Sequence, residues 1–234
     1  GGIGTYVKGK AETDSDVGDR ANDALRVNGR ELNAKIIGEG GNLGFTQLGR
    51  IEFAQNGGRV NTDFVDNVGG VDCSDNEVNI KILLNGLVSE GDLTRKQRDE
   101  LLYSMTDEVS ELVLKDCYRQ THTLSITQSK GASTLKEKIR FIHALEKEGK
   151  LNRAIEFLPT DEELAERAAA GKDRTRPELS VLVSYAKMVL KESLVTDEIT
   201  ENPYYRQLLV KSFPRPLREK FNDAMDNHPL RKEI

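Results

Sequence analysis

A chain of 234 residues, 37% hydrophobic and 31% charged, is long enough to bury a core as one large domain or two small ones. Its 39 acidic and 34 basic side chains leave a formal charge of −5, and no Lys/Arg run interleaved with aromatics occurs, so no nucleic-acid partner is expected. No apolar run approaches a membrane span, Cys73 and Cys117 are far apart with no CxxC, and His122, His143 and His228 lack ligand spacing, so neither a membrane nor a metal is expected.

The opening segment, GGIGTYVKGK, is glycine-rich. Gly1, Gly2 and Gly4 either allow close approach of a ligand or mark a flexible end, and the pattern leaves both readings open. The chain begins without Met and is expected to be the interior of a longer polypeptide. Two cysteines and no signal-peptide pattern fit a reducing, cytoplasmic location. A short helix is expected from Ser15 to Arg26, then a turn at Asn28-Gly29.

Lys35-Ile36-Ile37 reads as a short strand. It runs into Gly38-Glu39-Gly40-Gly41-Asn42-Leu43-Gly44, which is neither a Walker loop nor a GxGxxG. By pattern alone this is a tight strand–helix turn or a generic phosphate loop. Thr46 to Asn56 has helical spacing and ends at Gly57-Gly58. Arg59 to Val65 alternates like a second strand, and Asp66 to Ser74 reads as a second glycine loop. Asp75, Asn76 and Glu77 then suit a helix N-terminus.

From Val78 the pattern is helical. Val78, Ile82, Leu83 and Leu87 share a face, and Ser89 to Asp92 is a turn. A long amphipathic helix is expected from Thr94 through Cys117, with Cys117 a core residue. Thr121 to Ser133 is polar and reads as loop or frayed joint. Leu135 to Glu148 is a helix stopped by Gly149, and no carboxylate is spaced to join its His143. Thr160/Glu163 and Thr175/Glu178 are capping boxes for two further helices. Pro203, Pro214, Pro216 and Pro229 punctuate short helices to the end. The composition shift near Ser74 places a domain boundary there. The expected fold is therefore α/β over residues 1–74, a partial Rossmann-like segment, followed by a mostly α-helical region over 75–234.

The two glycine loops in succession, GEGGNLG and DNVGGVDCS, carry a resemblance. They resemble the EGAN-type and NAGGV-x-x-S loops of glutamate dehydrogenases. GGIGTYVK, NDALRVNGR, GEGGNLGFTQLGRIEFA, GVDCSDNEVNIKILLN, PTDEELAER and RPELSVLVSYAK are similar, in this order, to the very large NAD-specific bacterial members of that family. The resemblance spans nearly the whole chain. It implies NAD as cofactor, with Gly40, Gly41, Asn42 and Asn67 on the cofactor side. It implies L-glutamate and 2-oxoglutarate as substrate and product, with Gly69, Gly70, Val71 and Ser74 on the substrate side.

Asp72-Cys73 departs from the family's Thr-Val, and an inward Asp72 would repel a carboxylate, so Asp72 is expected to face away. The family's catalytic Lys and Asp and its phosphate turn match nothing in this chain and are expected upstream. No catalytic residue is assigned here, and the isolated chain is expected to be inactive. Upstream domains of the same polypeptide and a homo-oligomer are the expected protein partners. The alternative is a helical structural or regulatory module for domain packing or oligomerisation.

Overall fold

The computed structural model describes residues 3–234; Gly1 and Gly2 of the glycine-rich opening lie outside the described residues. In chain order come β1 (Val7–Lys8), α1 (Asp14–Val17), a 3-10 turn at Arg20–Leu25 and β2 (Val27–Asn28). Then follow α2 (Gln47–Gln55), α3 (Asp63–Asp66), α4 (Val68–Glu90), α5 (Arg95–Ser104) and α6 (Thr106–Ser129). The remaining helices are α7 (Leu135–Lys147), α8 (Asp161–Ala169), α9 (Arg176–Leu194), α10 (Asp197–Thr200), α11 (Pro203–Lys211) and α12 (Arg215–Lys220).

The chain is mostly helical. Among the described residues the only sheet is the parallel pair β1–β2, with Val7 opposite Val27 and Lys8 opposite Asn28. The expected strands at 35–37 and 59–65 shrink to one parallel bridge, Ile36 to Arg59, and Val7 makes a similar bridge to Phe45. The second strand fails because Thr62 starts a helical turn: its carbonyl accepts the N–H groups of Val65 and Asp66. Local capping thus overrides the period-two pattern of Val60, Thr62 and Phe64.

Other expectations are corrected in the same way. The helix expected over 15–26 is cut by Gly18, which sits at φ +72. The buried Arg26 guanidinium then holds the following turn by bonding Asp14 at 2.8 Å, Asp23 at 2.6 Å and the carbonyls of Thr5 and Asp19. Of the stretch 66–74, expected as loop, Asp66 ends α3, Asn67 caps it and 68–74 are the start of α4. Gly69 and Gly70 have ordinary helical φ, and the helix is anchored further on by buried Ile80, Leu83, Leu84 and Leu87. Asp75, Asn76 and Glu77 therefore lie inside a helix instead of at its start.

The single helix expected from Thr94 breaks at Met105, leaving α5 with the Thr94/Gln97 capping box. Helix α6 then absorbs most of the polar stretch expected as loop. Thr123, Ser125 and Thr127 satisfy their hydroxyls on carbonyls four residues back, at 2.8–3.0 Å, so polarity alone does not melt the helix. The helices at 47–55, 135–147, 161–169 and 176–194 form where expected. The Thr160/Glu163 box is made in full, while at Thr175 the Glu178 carboxylate accepts both the backbone N–H and the hydroxyl of Thr175. His143 does have a carboxylate partner: Nε2 lies 2.7 Å from Asp161, a residue too distant in sequence for helical spacing to reveal.

The chain divides into two compact units, residues 1–68 with 119–186, and residues 69–118 with 187–234. In the first, Val7, Phe45, Phe53 and Val60 form one core cluster, with Phe45 and Phe53 edge to face at 6.3 Å. Val65, Leu124 and Leu179 form another. Arg176, at the start of α9, ties this second cluster together. It bonds Asn61, Ser125 at 3.1 Å, Gln128 at 3.3 Å and the Thr121 carbonyl at 3.0 Å.

The second unit is built on Ile80, Leu83, Leu84, Leu87, Met105, Leu209, Phe213, Leu217 and Met225. His228 is buried against Phe213, with Nε2 on the Asn79 carbonyl at 3.0 Å and Nδ1 accepting the Leu230 N–H at 3.0 Å. That pair of bonds selects the Nε2–H tautomer.

Two glycines in the first unit permit a close backbone crossing that a side chain would push apart. A Cβ on Gly29 would lie 2.3 Å from the Gly49 carbonyl oxygen, and one on Gly49 would lie 3.0 Å from the Val7 carbonyl oxygen. Gly29→Ala is therefore expected to destabilise by about 1–3 kcal/mol in urea unfolding through overpacking. A second expectation concerns pH. Arg153, and after it His143, hold the Asp161 carboxyl below the ordinary carboxylate range. A depressed carboxylate stabilises the fold above its unfolded pKa, and that contribution disappears as pH falls through the folded value. The stability difference between wild type and Asp161→Asn, measured by urea unfolding, should shrink as pH falls from about 5 to about 2.

Candidate functional site

Helix α2 starts on Thr46, whose hydroxyl accepts the Gly49 N–H at 3.0 Å. One turn in, Arg50 points into the protein on the face shared with buried Ile51. Its guanidinium meets two carboxylates: Glu39 of the glycine loop at 2.5 and 3.0 Å, and Asp63 of α3 at 3.2 Å. Glu39, Arg50 and Asp63 are 5%, 4% and 9% exposed. Burial pushes the Glu39 carboxyl up, and the Arg50 guanidinium opposes that shift.

The same carboxylates hold the backbone of the glycine loop. Glu39 Oε1 accepts the Phe45 N–H at 3.1 Å, and Asp63 Oδ2 accepts the Leu43 N–H at 2.8 Å. Asp66 accepts the Glu39 N–H at 3.0 Å and the Asn61 amide at 2.6 Å. Every one of these acceptors has a charge-assisted bond in a site largely closed to water, where such bonds are strong. Leu43 is left at φ +58, a left-handed conformation that costs a side-chain-bearing residue about 1–2 kcal/mol.

Of the cofactor-side residues expected from sequence, the fold brings Asn42 and Asn67 together: the Asn67 amide donates to the Asn42 carboxamide oxygen. Gly40 and Gly41 are exposed, and a Cβ at either would meet no atom within 4 Å. The loop crest therefore presents open backbone beside two carboxamides, the kind of surface a polar ligand group can approach.

The residues expected from sequence on the substrate side belong to the second unit. Gly69, Gly70, Val71 and Ser74 occupy the first two turns of α4, with Gly70, Val71 and Ser74 exposed. A Cβ on Gly69 would lie 3.7 Å from Cys117 Sγ and 3.8 Å from Val113, ordinary packing distances. Asp72 is half-buried in this unit, and burial, Asp116 and Asp75 push its carboxyl up. Burial and then Asp72 push the Cys117 thiol up in turn. Cys73 is exposed, and neither cysteine is in a disulfide. Among the described residues, no group of three or more His, Cys, Asp and Glu side chains is arranged to hold a metal ion. Among the described residues, no helix is long and apolar enough to cross a membrane.

The Glu39–Arg50–Asp63 cluster and Asp66 escaped the sequence reading. One signal was available: Arg50 is a charge on the face of a helix whose neighbours Ile51 and Ala54 are apolar. Nothing in the spacing named its partners. Arg50→Met should leave two buried carboxylates unpaired and cost roughly 3–5 kcal/mol in urea unfolding.

Comparison with known proteins gives the family. The family model described as bacterial NAD-glutamate dehydrogenase, catalytic domain, matches residues 1–127, and that described as glutamate dehydrogenase, C-terminal, matches residues 171–234. Over all 234 residues the chain is 58% identical to an NAD-specific glutamate dehydrogenase of Pseudomonas aeruginosa, 56% to one of Halomonas elongata and 48% to one of Mycobacterium tuberculosis. It spans 14% of the length of each. With more than half of its residues matched by one family model, the chain belongs to the bacterial NAD-glutamate dehydrogenase family, as a portion of its catalytic domain and C-terminal region.

Proposed function

We propose that this chain is part of an enzyme that oxidatively deaminates L-glutamate to 2-oxoglutarate and ammonia with NAD. The bound NAD supplies the hydride acceptor for the α-carbon. The observation that carries the reading for this chain is the Asn42–Asn67 pair. Two carboxamides from separate stretches converge at an open glycine crest, held by a buried charge cluster. Carboxamides can orient a nicotinamide amide and a ribose hydroxyl without introducing charge. Gly40 and Gly41 leave room for the ring beside the backbone.

On this reading Asn42, Asn67, Gly40 and Gly41 face the cofactor, and Gly69, Gly70, Val71 and Ser74 face the substrate, with the Ser74 hydroxyl donating to the distal carboxylate of glutamate. Asp72 has its Oδ2 closed to solvent while Val71 and Ser74 are exposed, which supports an Asp72 turned away from that carboxylate. Residues 1–74 then form the end of a Rossmann-like nucleotide-binding domain. The parallel pairings of Val7 with Val27 and Phe45, and of Ile36 with Arg59, support that assignment. Residues 75–234 form the helical C-terminal domain.

The catalytic Lys and Asp are supplied by upstream domains of the same polypeptide. The whole enzyme works in the cytoplasm as a homo-oligomer. Exposed Tyr103, Leu114, Tyr204 and Leu208 on the second unit favour a packing role for the helical region in addition to its place in the enzyme.

This chain's contribution to rate is orientation, since no residue in it is assigned a proton-transfer role. In the full-length protein, Ser74→Ala should raise the KM for glutamate at least several-fold and leave NAD affinity near wild type. Steady-state kinetics with each substrate varied in turn checks this, and an unchanged glutamate KM removes Ser74 from the site.

A further inference from the structure

Arg176 is joined to the glycine loop by a chain of hydrogen bonds that can run in only one direction. A guanidinium only donates, and a carboxylate only accepts. Asn61 lies between them: its carboxamide oxygen accepts from Arg176, and its amide nitrogen donates to Asp66 at 2.6 Å. Turned over, the same carboxamide would set donor against donor and acceptor against acceptor. Arg176 therefore fixes which end of Asn61 meets Asp66. Asp66 passes the constraint on, because its second oxygen accepts the Glu39 N–H at 3.0 Å, near the start of the glycine loop.

The single turn α3 is thereby held at both ends. Arg50 takes Asp63 at its start, at 3.2 Å, and the Arg176–Asn61 pair takes Asp66 at its end. Asn67 follows directly, with its own N–H on the Asp63 carbonyl at 2.8 Å and its carboxamide on Asn42. The residue after Arg176 reaches the other clamp. The Pro177 carbonyl accepts the Gln47 amide at 3.4 Å, and the Gln47 oxygen accepts from Arg50 at 3.3 Å. Arg176 is itself anchored on α6 by Ser125, Gln128 and the Thr121 carbonyl. A planar guanidinium spread over this many acceptors is a fixed point from which a neighbour can be oriented.

We propose that Arg176 is a positioning residue for the cofactor-side carboxamides, acting through Asn61 and Asp66 to set where Asn67 stands. This rests on the reading above that Asn67 serves the cofactor. Arg176 acts at a distance, and its effect on the reaction passes through the relay alone.

The test uses the full-length protein with Arg176→Met, Asn61→Leu, the double variant and Gln128→Ala. Asn61→Leu cuts the relay and leaves Arg176 its bonds to α6, so it serves even where Arg176→Met fails to fold. Each of the two should raise the KM for NAD roughly three- to ten-fold, about the worth of one lost hydrogen bond, with the glutamate KM little changed. The double variant should raise it no further than the larger single, because both cut one path. Gln128→Ala, which loosens only the anchor on α6, should keep both KM values near wild type. Hydrogen exchange at the Glu39 amide, which Asp66 protects, should quicken several-fold in Arg176→Met and Asn61→Leu. An unchanged NAD KM in Asn61→Leu overturns the proposal. So does an additive double variant, or a Gln128→Ala that raises the NAD KM as far as Arg176→Met, because Arg176 then acts through helix packing. If wild type fails to reduce NAD with glutamate, the functional reading falls by itself, and the exchange of the Glu39 amide still decides the relay.

Discussion

A guanidinium that is almost completely closed to water must be paired, and in the first unit that requirement organises everything around the glycine loop. Arg50 satisfies it with Glu39 from the loop and Asp63 from α3. The pairing is mutual: each carboxylate would be costly to bury without the cation, and the cation without them. Once drawn in, the two acids have oxygens left over, and these accept the backbone N–H groups of Phe45 and Leu43. A charge cluster thereby becomes a template for a loop conformation. Asp66 adds a third anchor at the loop's first residues and stands directly before Asn67. Through Glu39 and Asp63, Arg50 joins the stretch that carries Asn42 to the one that carries Asn67, and the two carboxamides meet.

The second unit rests on a different principle. Its core is aliphatic and aromatic, gathered from α4, α5, α11, α12 and the residues beyond, with buried His228 as a polar exception satisfied through both ring nitrogens. Burial of this kind is tolerant of small changes in side-chain shape. It holds α4 firmly from Ile80 onward, while the helix's opening turns, Gly69 to Ser74, stay largely exposed. In the first unit the exposed glycine loop has no such helix behind it, and the charge cluster holds its backbone instead.

Sequence periodicity worked where an element's own residues decide its form. The helices at 47–55, 135–147, 161–169 and 176–194 carry their caps and apolar stripes locally, and they form as expected. It misled where competing local signals were close in strength. Val60, Thr62 and Phe64 alternate like a strand, yet Thr62 starts a helical turn. Gly69 and Gly70 read as a turn, yet the long helix behind them carries them along. The polar Thr121 to Ser129 reads as loop, yet its hydroxyls bond within the helix and Leu124 is fully buried.

The amino-acid sequence by itself determined the family of this chain and its predominantly helical second part, because motif wording and helical periodicity are local properties. Only the tertiary structure decided that Asn42 and Asn67 touch, that Asn67 leads into a helix instead of a loop, and that Arg50 binds Glu39 and Asp63. The reason is physical. Which acid neutralises a buried cation, and which loop that acid then holds, depends on elements distant in sequence arriving together, and neither composition nor spacing records that meeting.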